Sequence, residues 1–196
     1  MIEVVASLKS ISPYSQSRMH DEPKVNFDGT PSPDAKENPD AYERRTWRKK
    51  MHVTSDGHVF IPSMVFKNNL SEAAAFLSIK TGKGSETFTK HFQAGVMVTD
   101  GLVLPEKAED VPGEWFFMSS TGTKSKGGGK RVRRCYPMIA SWSGDVTYYV
   151  IDETITQHVF EHHLKEAGRF IGIGRFRPRN GGFYGRFIVE KIKWGK

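Results

Sequence analysis

One stretch near the C-terminus brings three side-chain chemistries together: Gly172-Ile173-Gly174-Arg175-Phe176-Arg177-Pro178-Arg179-Asn180-Gly181-Gly182-Phe183-Tyr184-Gly185-Arg186-Phe187. Arg175, Arg177 and Arg179 supply planar forks that grip phosphate with two hydrogen bonds at once. Gly172, Gly174, Gly181 and Gly182 let the backbone approach an anion closely and turn its amides toward it. Phe176, Phe183, Tyr184 and Phe187 offer faces on which unpaired bases stack. Folding alone gives little reason for this mixture, because glycine costs backbone entropy and neighbouring arginines repel. The plain alternative is a tight helix-to-strand loop with exposed charges. The Gly-x-Gly start is no dinucleotide fingerprint, since it precedes a strand rather than opening a helix.

Two other segments share the basic character. Lys124-Ser125-Lys126-Gly127-Gly128-Gly129-Lys130-Arg131-Val132-Arg133-Arg134 has the glycines of a segment that orders on binding an anion. It lacks Walker A spacing, and a solvated hairpin tip would look similar. Arg44, Arg45, Arg48, Lys49 and Lys50 surround Trp47, which suits base stacking beside phosphate contacts or simply pins a loop to the core. Taken as 44–50, 124–134 and 169–186, the last including Arg169, the three clusters hold 16 of the 29 Lys and Arg residues and none of the 22 acids. A solvated surface intersperses both signs, so a convergent polyanion site is the stronger reading. We therefore nominate Arg44, Arg45, Trp47, Arg48, Lys126, Lys130, Arg131, Arg133, Arg134, Arg175, Phe176, Arg177, Arg179 and Tyr184 as nucleic-acid-binding residues, with the four loop glycines as its backbone.

Signals for covalent or metal chemistry are weaker. His158 and His162 stand at i, i+4 beside His163, but no His-Glu-x-x-His arrangement exists and Cys135 is remote in sequence. His163 reads better as a hydrogen-bonded core residue. His20 and Asp21 have the chemistry of an acid–base pair, with no visible fixed partner. No catalytic residue, metal or cofactor is expected. The net charge of +7 and pI near 9.5 favour an anionic partner. One cysteine excludes an internal disulfide framework. Without a long apolar run or a signal-peptide pattern, the expectation is a soluble cytoplasmic protein with no membrane partner.

These loops need elements to hold them. Ile2, Val4, Ala6 and Leu8 alternate with polar residues, predicting a half-buried strand over 2–9. A long polar stretch, about 10–52, contains Pro13, Pro23, Pro31, Pro33 and Pro39. His58–Ile61 reads as a short strand ended by Pro62. Ser63 is a candidate cap for a helix over 63–80, with Phe66, Leu70, Ala73, Ala74 and Leu77 inward. Residues 92–104 read as a strand, folded at Asp100-Gly101. Trp115–Met118 is a further short strand, and 131–150 gives strands around Ser143-Gly144. Asp152 or Thr154 can cap a helix over 154–168 that Gly168 ends, and the last strand covers 186–194. Without insertions the order is βαββαβ, an α+β, ferredoxin-like (RRM-like) sheet with both helices on one face.

That order, the long insertion after the first strand, and the glycine-rich loop before the last strand resemble the RAMP superfamily of CRISPR-associated proteins. Phe60-Ile61-Pro62-Ser63-Met64-Val65-Phe66-Lys67-Asn68-Asn69-Leu70 is similar to that family's approach to its first helix, departing at Ser63, Met64 and Asn68. The resemblance covers about half the chain. It implies one RAMP-like domain over 1–196, with insertions at about 10–57 and 105–140. The nearest likeness is to the subunits that coat guide RNA as the backbone of multi-subunit effector complexes. It implies sequence-independent binding of single-stranded RNA or DNA, RNA favoured, with self-association along the strand and contacts to other effector subunits. The alternatives are a metal-independent RAMP endoribonuclease using His20 or another His, and a phage single-stranded-DNA-binding or structural protein.

Overall fold

The computed structural model describes residues 1–119 and 131–195. In chain order the elements are β1 (Ile2–Ser10), α1 (Pro39–Thr46), a 3-10 turn (Trp47–Lys50), β2 (His58–Ile61), α2 (Ser63–Leu77) and α3 (Thr89–Gly95). There follow β3 (Val96–Met97), β4 (Leu102–Lys107), β5 (Gly113–Ser119), β6 (Arg131–Pro137), β7 (Ser143–Val150), α4 (Gln157–Glu166), a π-turn (Ala167–Ile171), a 3-10 turn (Pro178–Asn180) and β8 (Phe187–Trp194).

Strands β3, β7, β1 and β8 form a four-stranded sheet in that order, with every neighbouring pair antiparallel. Counting only these strands, α2 and α4 gives βαββαβ with the fourth strand beside the first and the third between first and second. This is the ferredoxin-like arrangement. Alternation drives it in β1: Val4, Ala6 and Leu8 are buried, while Glu3 and Lys9 are exposed. The inward row meets Phe66, Leu70 and Ala74 of α2, and Phe160 and Leu164 of α4, in one apolar cluster.

The region 92–104 differs from the sequence expectation. Residues 89–95 are helical, only Val96–Met97 joins the main sheet, and β4 pairs with β2 in a separate two-stranded sheet. The apolar run misled because Phe88 and Phe92 stand one helical turn apart and pack together on buried His163. Helix α2 begins with Ser63 as its first helical residue, after Pro62, and stops at Leu77, where Ser78 turns left-handed at φ 49°. The cap of α4 is neither Asp152 nor Thr154 but Thr156, whose hydroxyl accepts from the Val159 amide. Gly168 does not end this helix. A π-turn carries the chain on to Gly172, because the buried Asn69 amide donates to the Ala167 and Gly172 carbonyls and ties that turn to α2.

The two insertions fold onto each other. β5 and β6 pair antiparallel as the two arms of a hairpin, with Gly113 opposite Pro137 and Ser119 opposite Arg131. The first insertion supplies α1 and its 3-10 turn, which lie against β6. Tyr14, also from the first insertion, exchanges both backbone hydrogen bonds with Ile139.

Candidate nucleic-acid interface

The hairpin is held between α1 and the glycine-rich loop. A carboxylate fixes the α1 side. Glu43 is buried and accepts from the Cys135 amide at 2.8 Å, from Arg134 at 3.0 Å and from the Lys50 ammonium. Lys50 also donates to the Cys135 carbonyl at 2.8 Å. Burial pushes the Glu43 carboxyl upward, but these donors outweigh it and hold it below its ordinary value. Burial pulls the Lys50 ammonium down, with Glu43 pulling the other way. Desolvation raises the Cys135 thiol to about 11, so it stays protonated at neutral pH.

On the opposite side, Phe116 packs on Phe176 with ring centroids 4.6 Å apart. The Tyr184 hydroxyl donates to Glu114 at 2.8 Å. Burial, reinforced by that carboxylate, pushes the Tyr184 phenol to about 12. The loop itself is closed by tight backbone contacts. The Arg175 amide donates to the Ser15 carbonyl at 2.7 Å and Tyr184 donates to the Phe176 carbonyl at 3.0 Å. Gly172, Gly174 and Gly181 have φ of 67°, 71° and 81°, and a side chain on Gly182 would collide with the Phe176 carbonyl.

This scaffold brings the three basic segments to shared aromatic rings. Tyr136 carries Lys50 Nζ at 4.3 Å and the Arg175 guanidinium at 3.9 Å from its centroid. Trp115 carries Arg44 at 5.4 Å and Arg133 at 4.9 Å. Arg48 lies over Trp47 at 4.2 Å. Among the described residues, Arg44, Arg48, Arg131, Arg175 and Arg179 pair with no carboxylate. The charges of Arg44, Arg48, Arg175 and Arg179 are positioned by rings and stay available to an anion.

Other nominated residues have protein partners. Arg45 forms a two-pronged pair with Glu37 at 2.9 Å and bonds the Pro23 carbonyl. Arg133 lies 3.6 Å from Asp40, Arg134 pairs with Glu43, and Arg177 donates to Glu72 of α2 at 2.9 Å. Trp47 is 8% exposed and packs against Gly113. Tyr184 and Phe176 are part of the hairpin support, and Arg179 is set apart over Phe76 of α2. Lys126 and Lys130 lie outside the described residues. The sequence reading missed Tyr136, Trp115 and Glu43. The available signals were the run of aromatics from Trp115 to Phe117 and the place of Tyr136 just after the Arg131–Arg134 basic run; a lone Glu within Tyr42-Glu43-Arg44-Arg45 gave none.

His163 is a core residue. Its Nδ1 donates to the Val159 carbonyl at 2.7 Å, and burial holds its pKa below the ordinary value. His20 stacks on Tyr42 at 6.2 Å, and its Nδ1 is buried without a hydrogen-bond partner among the described residues. Among the described residues, no three His, Cys, Asp or Glu side chains group as metal ligands, and no helix is long and apolar enough to cross a membrane.

No protein-family model matches the chain, and no curated protein matches it. Solved structures do. A chain in the cryo-EM structure of the Type III-B Cmr-beta bound to cognate target RNA aligns at TM-score 0.55 and 12% identity, covering 100% of this chain. The fold is shared with that Type III-B chain. The present chain spans 61% of its length. Cmr6 from Pyrococcus furiosus aligns at TM-score 0.49 and 13% identity, over 96% of this chain and 98% of that one. A chain of a CRISPR RNA-guided surveillance complex aligns at TM-score 0.39 and 12% identity, over 97% and 68%. The ferredoxin-like fold that the RAMP resemblance implied is the fold observed.

Proposed function

We propose that this chain is one RAMP-like domain that binds single-stranded nucleic acid, RNA in preference, as a backbone subunit of a CRISPR-type ribonucleoprotein. The observation that carries the reading is the convergence of three sequence-distant basic segments on Tyr136 and Trp115. Of the cations on these rings, Arg44 and Arg175 present phosphate-binding forks without folding onto carboxylates, while Arg133 and Lys50 are matched by Asp40 and Glu43. Such a surface holds backbone and stacks bases; it has no preference for one base edge, so binding is sequence-independent. The Type III-B neighbour is described as bound to target RNA, which supports RNA as the ligand. The insertions that build the hairpin reach beyond the sheet, and on this reading they contact the strand, the next copy of the chain and other effector subunits.

Incubation with end-labelled single-stranded RNA tests the proposal. A shifted, intact band is the expected result. A shortened product would favour the endoribonuclease reading and His20. Preference for single-stranded DNA would favour the phage reading, and no shift with either strand would refute nucleic-acid binding.

A further inference from the structure

Away from the hairpin, two phenylalanine rings lie side by side at the surface. Phe76, in the last turn of α2, and Phe170, in the π-turn, have centroids 5.9 Å apart with planes inclined at 35°. They are 49% and 42% exposed. Each ring carries a guanidinium: Arg179 is 5.8 Å from the Phe76 centroid, and Arg169 is 5.2 Å from Phe170. The result is a row, Arg179–Phe76–Phe170–Arg169. Phe76 is off the inward stripe of α2, whose buried apolar positions are Phe66, Leu70, Ala73 and Ala74. The core gives no reason for an aromatic residue there.

We propose that this row is a second platform for single-stranded nucleic acid, stacking unpaired bases on Phe76 and Phe170 and holding phosphates on Arg169 and Arg179. The proposal rests on the nucleic-acid reading of the hairpin face. Exposed rings accept any base because every base has a π-face, and guanidiniums at both ends supply the charge-assisted bonds the backbone needs. An apolar protein surface fits less well. It would desolvate two guanidiniums that have one carboxylate between them, Glu166, 3.3 Å from Arg169.

The glycine-rich loop joins the two places. Arg175 stacks on Tyr136 at the hairpin, Arg177 reaches Glu72 of α2, and Arg179 reaches Phe76, one turn further along the same helix face. Arg175 and Arg179 are four residues apart, at most about 14 Å of chain. A strand that outruns the hairpin face meets the platform next. A short strand does not reach it.

Affinities of the wild type and of F76L/F170L for oligo(U) of about 6 and about 20 nucleotides test this. Leucine keeps apolar bulk and helix propensity but removes the π-face, so the thermal midpoint stays put. The expected result is an affinity about tenfold weaker for the long strand and unchanged for the short one. R169Q/R179Q should flatten the long-strand log–log salt slope by about 1.4. Unchanged long-strand affinity in F76L/F170L overturns the platform, and so does an equal loss at both lengths. RNA-free self-association that F76L/F170L abolishes, with RNA affinity intact, would assign the patch to a protein neighbour and overturn it too. If the wild type binds neither strand, the hairpin reading itself fails. If it binds both and the variant matches it, only the platform fails.

Discussion

Glu43 touches no surface that a ligand could reach, yet it decides where the hairpin sits. Its side chain is 1% exposed, and that of Lys50 is 10% exposed. Replacing Glu43 by Gln keeps the shape and removes the counter-charge. Breaking a buried pair from one side costs about 3–5 kcal/mol, because the stranded charge stays desolvated. Lys50 retains the Cys135 carbonyl at 2.8 Å, and the new amide oxygen still accepts one donor, so the low end, about 3 kcal/mol, is expected. At this chain length that lowers the melting midpoint by about 6–12 °C.

Removing both charges is a different perturbation. In E43Q/K50M no buried cation is left stranded, so the double variant should be more stable than the two single losses summed imply. Urea titrations of the wild type, both singles and the double measure the cycle. A loss below about 1 kcal/mol in E43Q, or strict additivity, would refute a buried charge network as the anchor of the hairpin. Acid gives a second check. The folded Glu43 carboxyl is held below its ordinary value near 4.5. Its contribution is therefore complete above that value and disappears as pH falls through the lower folded value. The gap between wild type and E43Q should narrow on acidification through that window. RNA affinity should also fall in E43Q, because the ring-borne cations lose their fixed places.

Other outcomes follow from the same geometry. RNA affinity should fall steeply with salt, with a log–log slope of about −0.7 per phosphate neutralised; a flat response in filter binding would remove the electrostatic basis. R175A should cost about 1.5–3 kcal/mol of binding, the range of a charge-assisted bond, with little change in melting, whereas R177A should show the smaller binding effect because Glu72 already holds it. Gly185 has φ 70°, and a side chain there would strike the Ile173 carbonyl, so G185V should distort the loop and lower both the melting midpoint and the affinity. With long single strands, light scattering should show particles whose mass grows with strand length; one protomer per strand at all lengths would exclude a backbone role.

Much of the framework was legible because its signals are periodic. β1 and α2 show their buried faces at spacings of two and of three to four residues, and those faces are where the sheet and helix meet. The stretch 92–104 was misread because both periods fit a short apolar run, and the choice was made by partners distant in sequence: His163 for Phe92, and β2 for β4. The π-turn was invisible for a similar reason, since it depends on the amide of Asn69 about a hundred residues earlier. At the interface the charges were legible as clusters, but not their division of labour. Arg45 and Arg175 look alike in sequence. One is pinned by Glu37 and the other by the face of Tyr136, and only tertiary contact distinguishes an arginine spent on folding from one left free.

That distinction explains why the basic segments come with aromatics rather than with acids. A guanidinium on a carboxylate is positioned but neutralised; a guanidinium on a ring is positioned and keeps its charge. The molecule uses both modes on one hairpin. Carboxylates hold the concealed side, where Glu43 gathers Lys50, Arg134 and the Cys135 amide. Rings hold Arg44 and Arg175, the cations left unmatched, on either side of the hairpin. A surface built for solubility alone would have no need to fix them, since mobile arginines solvate equally well. Fixing them in advance lowers the side-chain entropy lost when a polyanion binds, and this is the physical link between the aromatic-rich hairpin and the strand it is proposed to carry.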